Sequence, residues 1–265
     1  MKEPSENELL YAKLEDKIHF CETRNKITHI DFFTEPEIIK IQKYLKSIKF
    51  KNYFIFGGYD AASRKMVFFY PEKLENLVDE TEPSKLQIAS QFLEILRISL
   101  PASQVGEYEH RDYLSAIMKF GIIREKFGDI VVYPEGADFI VQKENAPYFK
   151  DSLSELIRFR KSDITLLDMS NLHENCQRTE EISIIVNSMR IDNFVAEICH
   201  CSRNKAEEIL LQERVMINYE SVIKNSKSVN MNDIITIRGF GKFIVKEIAR
   251  KTKSDKDVVI LIHNI

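Results

Sequence analysis

No stretch of the 265-residue chain is apolar over anything near the roughly 20 residues that a membrane helix needs. The start, Met1-Lys2-Glu3-Pro4-Ser5-Glu6-Asn7, lacks the apolar centre of a signal peptide. A cytoplasmic protein without membrane contact is expected. Cysteine is scarce. Cys21, Cys176, Cys199 and Cys201 are too few for a disulfide framework in a chain of this length. Cys199-His200-Cys201 is followed by no second Cys/His pair, and residues two apart on a helix point to different faces, so no metal is expected. Gly-x-Gly-x-x-Gly, Walker, Gly-x-Ser-x-Gly and His-Glu-x-x-His motifs are all missing. These absences remove the dinucleotide, P-loop, serine-hydrolase and zinc-protease classes, and no cofactor is expected. Internal repeats and low-complexity tracts are missing as well.

What is present is an ordinary globular composition, 44% hydrophobic, in a chain long enough for two or three domains. The fold class expected is α+β. Residues 1–80 read as a small α/β unit. A charged helix spans 5–25, with Leu9, Leu10, Leu14 and Ile18 near helical spacing. Thr34-Glu35-Pro36-Glu37 is a capping box that opens a second helix with Ile38, Ile41, Leu45 and Ile48 on one side. Tyr53–Phe56 and Met66–Tyr70 follow as the strands of a long-loop hairpin.

Residues 81–172 read as strand, helix, strand, strand, helix, strand. The elements are placed at Phe92–Ser99, His110–Phe120, Asp129–Tyr133, Ala137–Gln142, Asn145–Phe159 and Ile164–Asp168, with Pro134-Glu135-Gly136 as the central turn. That order is ferredoxin-like, and RNA-recognition folds also use it. His110-Arg111-Asp112-Tyr113-Leu114 mimics a kinase catalytic loop, but the position five after the Asp is Ile117 rather than Asn. Asp112 is instead expected to cap a helix beginning at Tyr113, with Arg111 facing solvent or RNA. Asp129, Glu135, His173 and Glu174 read as surface charges. The polar run Ser170-Asn171-Leu172-His173-Glu174-Asn175 marks a joint.

Residues 180–253 form the third expected domain. A strand at Glu181–Val186 leads to Arg190-Ile191-Asp192, which opens a helix to Ile198. Ser202 is placed to cap a second helix from Arg203 to Gln212. Arg203 and Lys205 then sit in a first turn that favours phosphate. Strands at Val215–Asn218 and Asp233–Arg238 follow, separated by Lys224 and Lys227. Arg238-Gly239-Phe240-Gly241-Lys242-Phe243 is read as a hairpin at the edge of this module rather than a base-stacking strand. The whole chain carries a net charge of −3, yet Ser188 to Lys253 holds 12 Lys and Arg against 8 Asp and Glu. The basic excess gathers where phosphate contacts are expected.

Arg190-Ile191-Asp192, Ser202-Arg203-Asn204-Lys205-Ala206, Val215-Met216-Ile217-Asn218 and Asp233-Ile234-Ile235 together resemble the S4 RNA-binding domain. Glu213 and Tyr219 stand where that pattern has glycine, so differently built turns are expected. The chain further resembles the YlmH family of bacterial S4-domain proteins over about residues 30 to 250. That likeness is carried by His110-Arg111-Asp112-Tyr113-Leu114-Ser115-Ala116, by Gly121 through Ile130, by the hairpin from Gly57-Gly58-Tyr59 to Phe69-Tyr70-Pro71, and by Arg238 through Phe243. Ser115 replaces the family's usual Gly. The resemblance implies a non-enzymatic factor whose S4 domain engages ribosomal RNA of the large subunit and peptidyl-tRNA in rescue of stalled nascent chains. Older views tie such proteins to cell division. The expected RNA contacts are Arg190, Ser202, Arg203, Lys205, Lys227, Arg238 and Lys242, in a monomer whose N-terminal domains have room for a protein partner. The alternatives are an RNA-modifying enzyme of the pseudouridine-synthase kind and a division-linked scaffold. A plainer role for Arg190 is pairing with Asp192 or a nearby Glu to order the helix start.

Overall fold

The computed structural model describes residues 5–79, 81–173, 179–252 and 255–264. Met1–Pro4, the end of the polar joint at Glu174 and Asn175, Cys176 and the boundary residue Lys253 lie outside them. The chain is α+β and divides into two compact units, Met1–Cys176 and Gln177–Ile265.

In the first unit, α1 (Glu6–Arg24) opens on Ser5, whose N–H donates to the Glu8 carboxylate at 2.6 Å, a reciprocal capping box. Leu14, Ile18 and Cys21 of α1 are buried, whereas Leu9 is 51% exposed and lies off the expected apolar face. Next comes β1 (Thr28–Thr34), which the sequence analysis does not assign. A bulge between Ile30 and Phe33 breaks its two-residue alternation, so Phe32 and Phe33 enter two different buried clusters. The Thr34–Glu37 box then starts α2 (Glu35–Ser47) as expected. The hairpin of β2 (Tyr53–Phe56) and β3 (Arg64–Phe69) completes an antiparallel sheet in the order β1-β3-β2.

A further helix, α3 (Glu82–Ala89), precedes β4 (Leu93–Ser99), α4 (His110–Met118), β5 (Phe127–Tyr133), β6 (Gly136–Gln142), α5 (Ala146–Ser154) and β7 (Asp163–Leu167). These strands form an antiparallel sheet in the order β5-β6-β4-β7. Tyr113 and Ile117 of α4 and Phe149 and Leu153 of α5 bury against Leu96, Ile98, Phe139 and Val141 of the sheet. Phe32, Phe54 and Phe68 of the three-stranded sheet share a cluster with Leu93, Ile95 and Ile140 of the four-stranded one. The stretches read as residues 1–80 and 81–172 therefore have apolar core in common. Asp112 does not cap α4. The cap is Glu109, whose N–H donates to Asp112 at 3.0 Å, while Arg111 stands 83% exposed and pairs with Glu109.

The second unit runs β8 (Thr179–Val186), α6 (Ile191–Ile198), α7 (Arg203–Leu211), β9 (Val215–Ile217), β10 (Glu220–Ser221), β11 (Ile234–Ile237), β12 (Gly241–Lys251) and β13 (Asp257–Asn264). Its sheet order is β10-β9-β11-β12-β13-β8. The two helices bury Phe194, Val195, Ala206 and Leu210 against Val215, Ile235, Phe243 and Leu261. The hairpin at Gly239 is present, but β12 is not an edge strand: β13 pairs along its length. That last strand lies beyond residue 253 and joins β12 to β8.

Candidate nucleic-acid interface

The centre of the second unit's polar surface is one carboxylate. Asp192, in the first turn of α6, is fully buried. Arg190 grips it with two bonds, Nε to Oδ1 at 3.0 Å and Nη2 to Oδ2 at 2.9 Å. Arg203, the first residue of α7, donates to the same Oδ2 from Nε at 2.9 Å, and its Nη2 forms an ion pair with that oxygen at 2.9 Å. The Asn193 N–H donates to Oδ1 at 3.1 Å. Burial pushes the Asp192 carboxyl up, but the bonds from Arg190 and Arg203 outweigh it and hold the group below the usual carboxylate range. The bond to Asp192 in turn raises Arg190.

The pairing foreseen as the plainer role of Arg190 is thus present. It extends to Arg203, a partner eleven residues further on. Neither guanidinium is consumed by it: the side chains stay 36% and 53% exposed. A guanidinium has five donors in a rigid fork; Arg190 spends two on the carboxylate and Arg203 one. The remaining N–H edges are fixed in direction by a buried anchor.

Other expected contacts fall around this point. Ser202 caps α7, its hydroxyl accepting from the Lys205 N–H at 3.3 Å. Lys205 is exposed and pairs with Glu208 at 2.7 Å. Lys227 lies in a loop pinned along the start of α6, its carbonyl accepting from the Ile191 N–H at 2.9 Å. The neighbouring residue Ser228 bridges to Arg190. Lys224 and Lys227 line a cleft of about 470 Å³. Arg238 and Lys242 form a second group on the β11–β12 hairpin. The Arg238 carbonyl accepts from Arg214 at 2.8 Å, and Lys242 donates to the Tyr219 hydroxyl at 2.8 Å while lying 5.3 Å from that ring's centre.

The two turns expected to differ keep the backbone that glycine favours. Glu213 has φ 55°, and Asn218-Tyr219, with φ 50° and 66°, make a two-residue turn of the I′ kind between β9 and β10. Side chains hold it there. Asn218 donates to Asp233 at 2.8 Å and accepts from the Ile234 N–H at 2.9 Å. The Asn and Asp-x-Ile parts of the pattern are therefore one another's partners.

In the first unit, Asp129, expected to be a surface charge, is a structural hub, and so is Asp138. Asp129 accepts from the Tyr59 hydroxyl at 2.7 Å and from the N–H groups of Ser63 and Arg64 at 2.6 and 3.1 Å. It ties the β2–β3 loop to β5. Fully buried Asp138 takes a forked pair from Arg97 and the His173 N–H at 3.0 Å, with the His173 ring stacked on Tyr133. No sequence signal marks these pairings, because the partners lie 35 to 70 residues apart. Arg124 lies over the Phe127 ring and bonds the Phe127 and Gly128 carbonyls; burial lowers it to about 10. Burial pushes the Cys199 thiol up to about 11, and no group of three metal-ligating side chains is found among the described residues.

A larger cleft of about 750 Å³ in the first unit holds none of the residues expected to bind RNA. Lys43, Lys46, Lys49, Lys51 and Lys85 line it together with Phe50 and Tyr53. The one available signal was the run of lysines at three-residue spacing from Lys40.

Residues 90–171 match the family model described as "Putative RNA-binding domain in YlmH". The chain is 30% identical over 204 residues to "Ribosome-associated protein quality control protein P2" of Bacillus subtilis, covering 76% of this chain and 73% of that one. It is also similar to the solved "Cell division protein ylmH from Streptococcus pneumoniae", at 18% identity and a TM-score of 0.44 over 65% of this chain and 99% of that one. On the match to the Bacillus protein and the family model, the chain belongs to the YlmH family.

Proposed function

We propose that this protein is a non-enzymatic RNA-binding factor that grips the large ribosomal subunit and peptidyl-tRNA in rescue of stalled nascent chains. The observation that carries it is the pair of half-exposed guanidiniums on one buried carboxylate. Forked, anchored donors suit phosphate oxygens, and phosphate contacts position an RNA without reading its bases. Arg190, Ser202, Arg203, Lys205 and Lys227 make the main grip. Arg238 and Lys242 add charge from the hairpin. The succession α6, α7, β9, β11 and the Asn218–Asp233 partnership support the S4 reading of residues 180–253. The strand order β5-β6-β4-β7 supports the ferredoxin-like reading of residues 81–172. Among the described residues the two fully buried carboxylates, Asp138 and Asp192, are held by arginines, which favours a binding role over acid–base chemistry.

The test is binding of Arg190→Ala and Arg203→Ala chains to purified large subunits across a salt series. Each lost phosphate contact flattens the log–log slope by roughly 0.7–0.9. Unchanged slopes in folded variants defeat the assignment.

A further inference from the structure

We propose that the lysine cleft of the first unit is a second RNA contact, which takes the sugar–phosphate backbone of a single strand. The inference does not rest on the arginine pair. Five lysines line the cleft, and among the described residues no Asp or Glu does. Two lysines of this unit outside the cleft have carboxylate partners, Lys65 with Glu35 and Lys126 with Asp31. Lys43, Lys46, Lys49 and Lys51 have none among the described residues. The concentration runs against the local trend, because residues outside 188–253 carry a net charge of −7. Complementing the helix C-terminus accounts for Lys46 in the last turn of α2. It does not account for Lys49 or Lys51, which lie past the helix.

Lys49 is held at φ 59°, in the position that ends a helix with a left-handed residue and where glycine is the low-strain choice. The Phe50 N–H closes the motif on the Leu45 carbonyl at 3.0 Å. A lysine kept at such a site, with its ammonium unpaired, points to a use for the charge. Lys43, Lys46 and Lys49 follow one another at three-residue spacing in the sequence and all line the cleft, so several positive charges meet there. Half-buried Phe50 and Tyr53, with Ile39 and Ile55, give an apolar floor. Lysine grooves with aromatic floors are how sequence-tolerant proteins hold single strands. The cleft lies outside the matched segment 90–171.

The experiment uses the full chain and a labelled oligouridylate, with anisotropy read across a salt series. A Lys43→Gln, Lys46→Gln, Lys49→Gln, Lys51→Gln chain is compared with the parent, both with Arg190 and Arg203 intact and with both changed to Ala. The expected result in each background is an affinity loss of about tenfold or more and a slope flatter by roughly 0.7 for each contact removed. Equal affinity and slope in both backgrounds overturns the proposal. So does displacement of the oligonucleotide by polyglutamate of equal charge at equal concentration, which marks an acidic-protein site instead. Lys49→Gly guards against misfolding: it raises the melting temperature by relieving the backbone and still flattens the slope by about 0.7. Tighter stability with an unaltered slope removes Lys49 from the site and overturns its role.

Discussion

The arginine pair and the lysine cleft hold positive charge in opposite ways. Arg190 and Arg203 share one buried carboxylate, so their direction is fixed and their charge is partly spent. Lys43, Lys46, Lys49 and Lys51 of the cleft are point charges on flexible stems with no ion pair among the described residues, seated beside half-buried rings. The first arrangement is part of the fold and presents bonds with geometry. The second is an addition to the fold and presents field strength. The same element, positive charge near a helix end, therefore has structural weight in one unit and almost none in the other.

The largest expected effect breaks the arginine side of this contrast. Asp192→Ala removes the anchor of two guanidiniums and is expected to destabilise the second unit by about 3 kcal/mol, the low end for a broken buried pair because both partners reach solvent. Changing the four lysines to glutamine is expected to move stability by less than about 0.5 kcal/mol. Urea midpoints read both, and a loss below about 1 kcal/mol for Asp192→Ala ends the distinction. Exchanging the two cations comes next. Arg203→Lys loses the fork and is expected to weaken RNA binding about tenfold, worth about 1.4 kcal/mol, whereas Lys46→Arg leaves affinity equal or higher. Equal losses at both sites in an anisotropy titration contradict the contrast.

Ser202→Ala probes how far the Arg203 position depends on the cap of α7. The expected loss is about 1 kcal/mol by thermal melting, with a small loss of RNA affinity. Acid gives the smallest effect at ordinary pH. The folded-state pKa of Asp192 lies below its unfolded value, so the folded chain takes up the proton later. Its contribution is complete above the ordinary carboxylate value near 4 and is lost as pH falls through the lower, folded value. The stability gap between the parent and Asp192→Asn is expected to be widest near neutrality and to close in that acid range. A gap independent of pH removes the charge from the account.

Much of the local structure was readable because its causes are local. Ser202, Thr34 and the Pro134-Glu135 turn act over three or four residues, and the structure has all of them where the sequence puts them. Strand β1 was not readable, because its bulge sends neighbouring phenylalanines to different cores and erases the alternation. Glycine rules misled at Glu213 and Tyr219. Hydrogen bonds around Asn218 hold the second of these turns in a backbone usually left to glycine.

By itself the sequence determined where α1, α2 and α7 start, that the fold is α+β, and which basic residues gather near Arg190. It did so through capping, periodicity and charge counts, all of which act along the chain. Only the tertiary structure decided that Asp192 is a shared anchor rather than a helix-start acid, that Asp129 and Asp138 are hubs, and that β13 lies beside β12. Those facts depend on partners brought together across long loops, and on burial, which makes a lone carboxylate costly until arginines or N–H groups surround it.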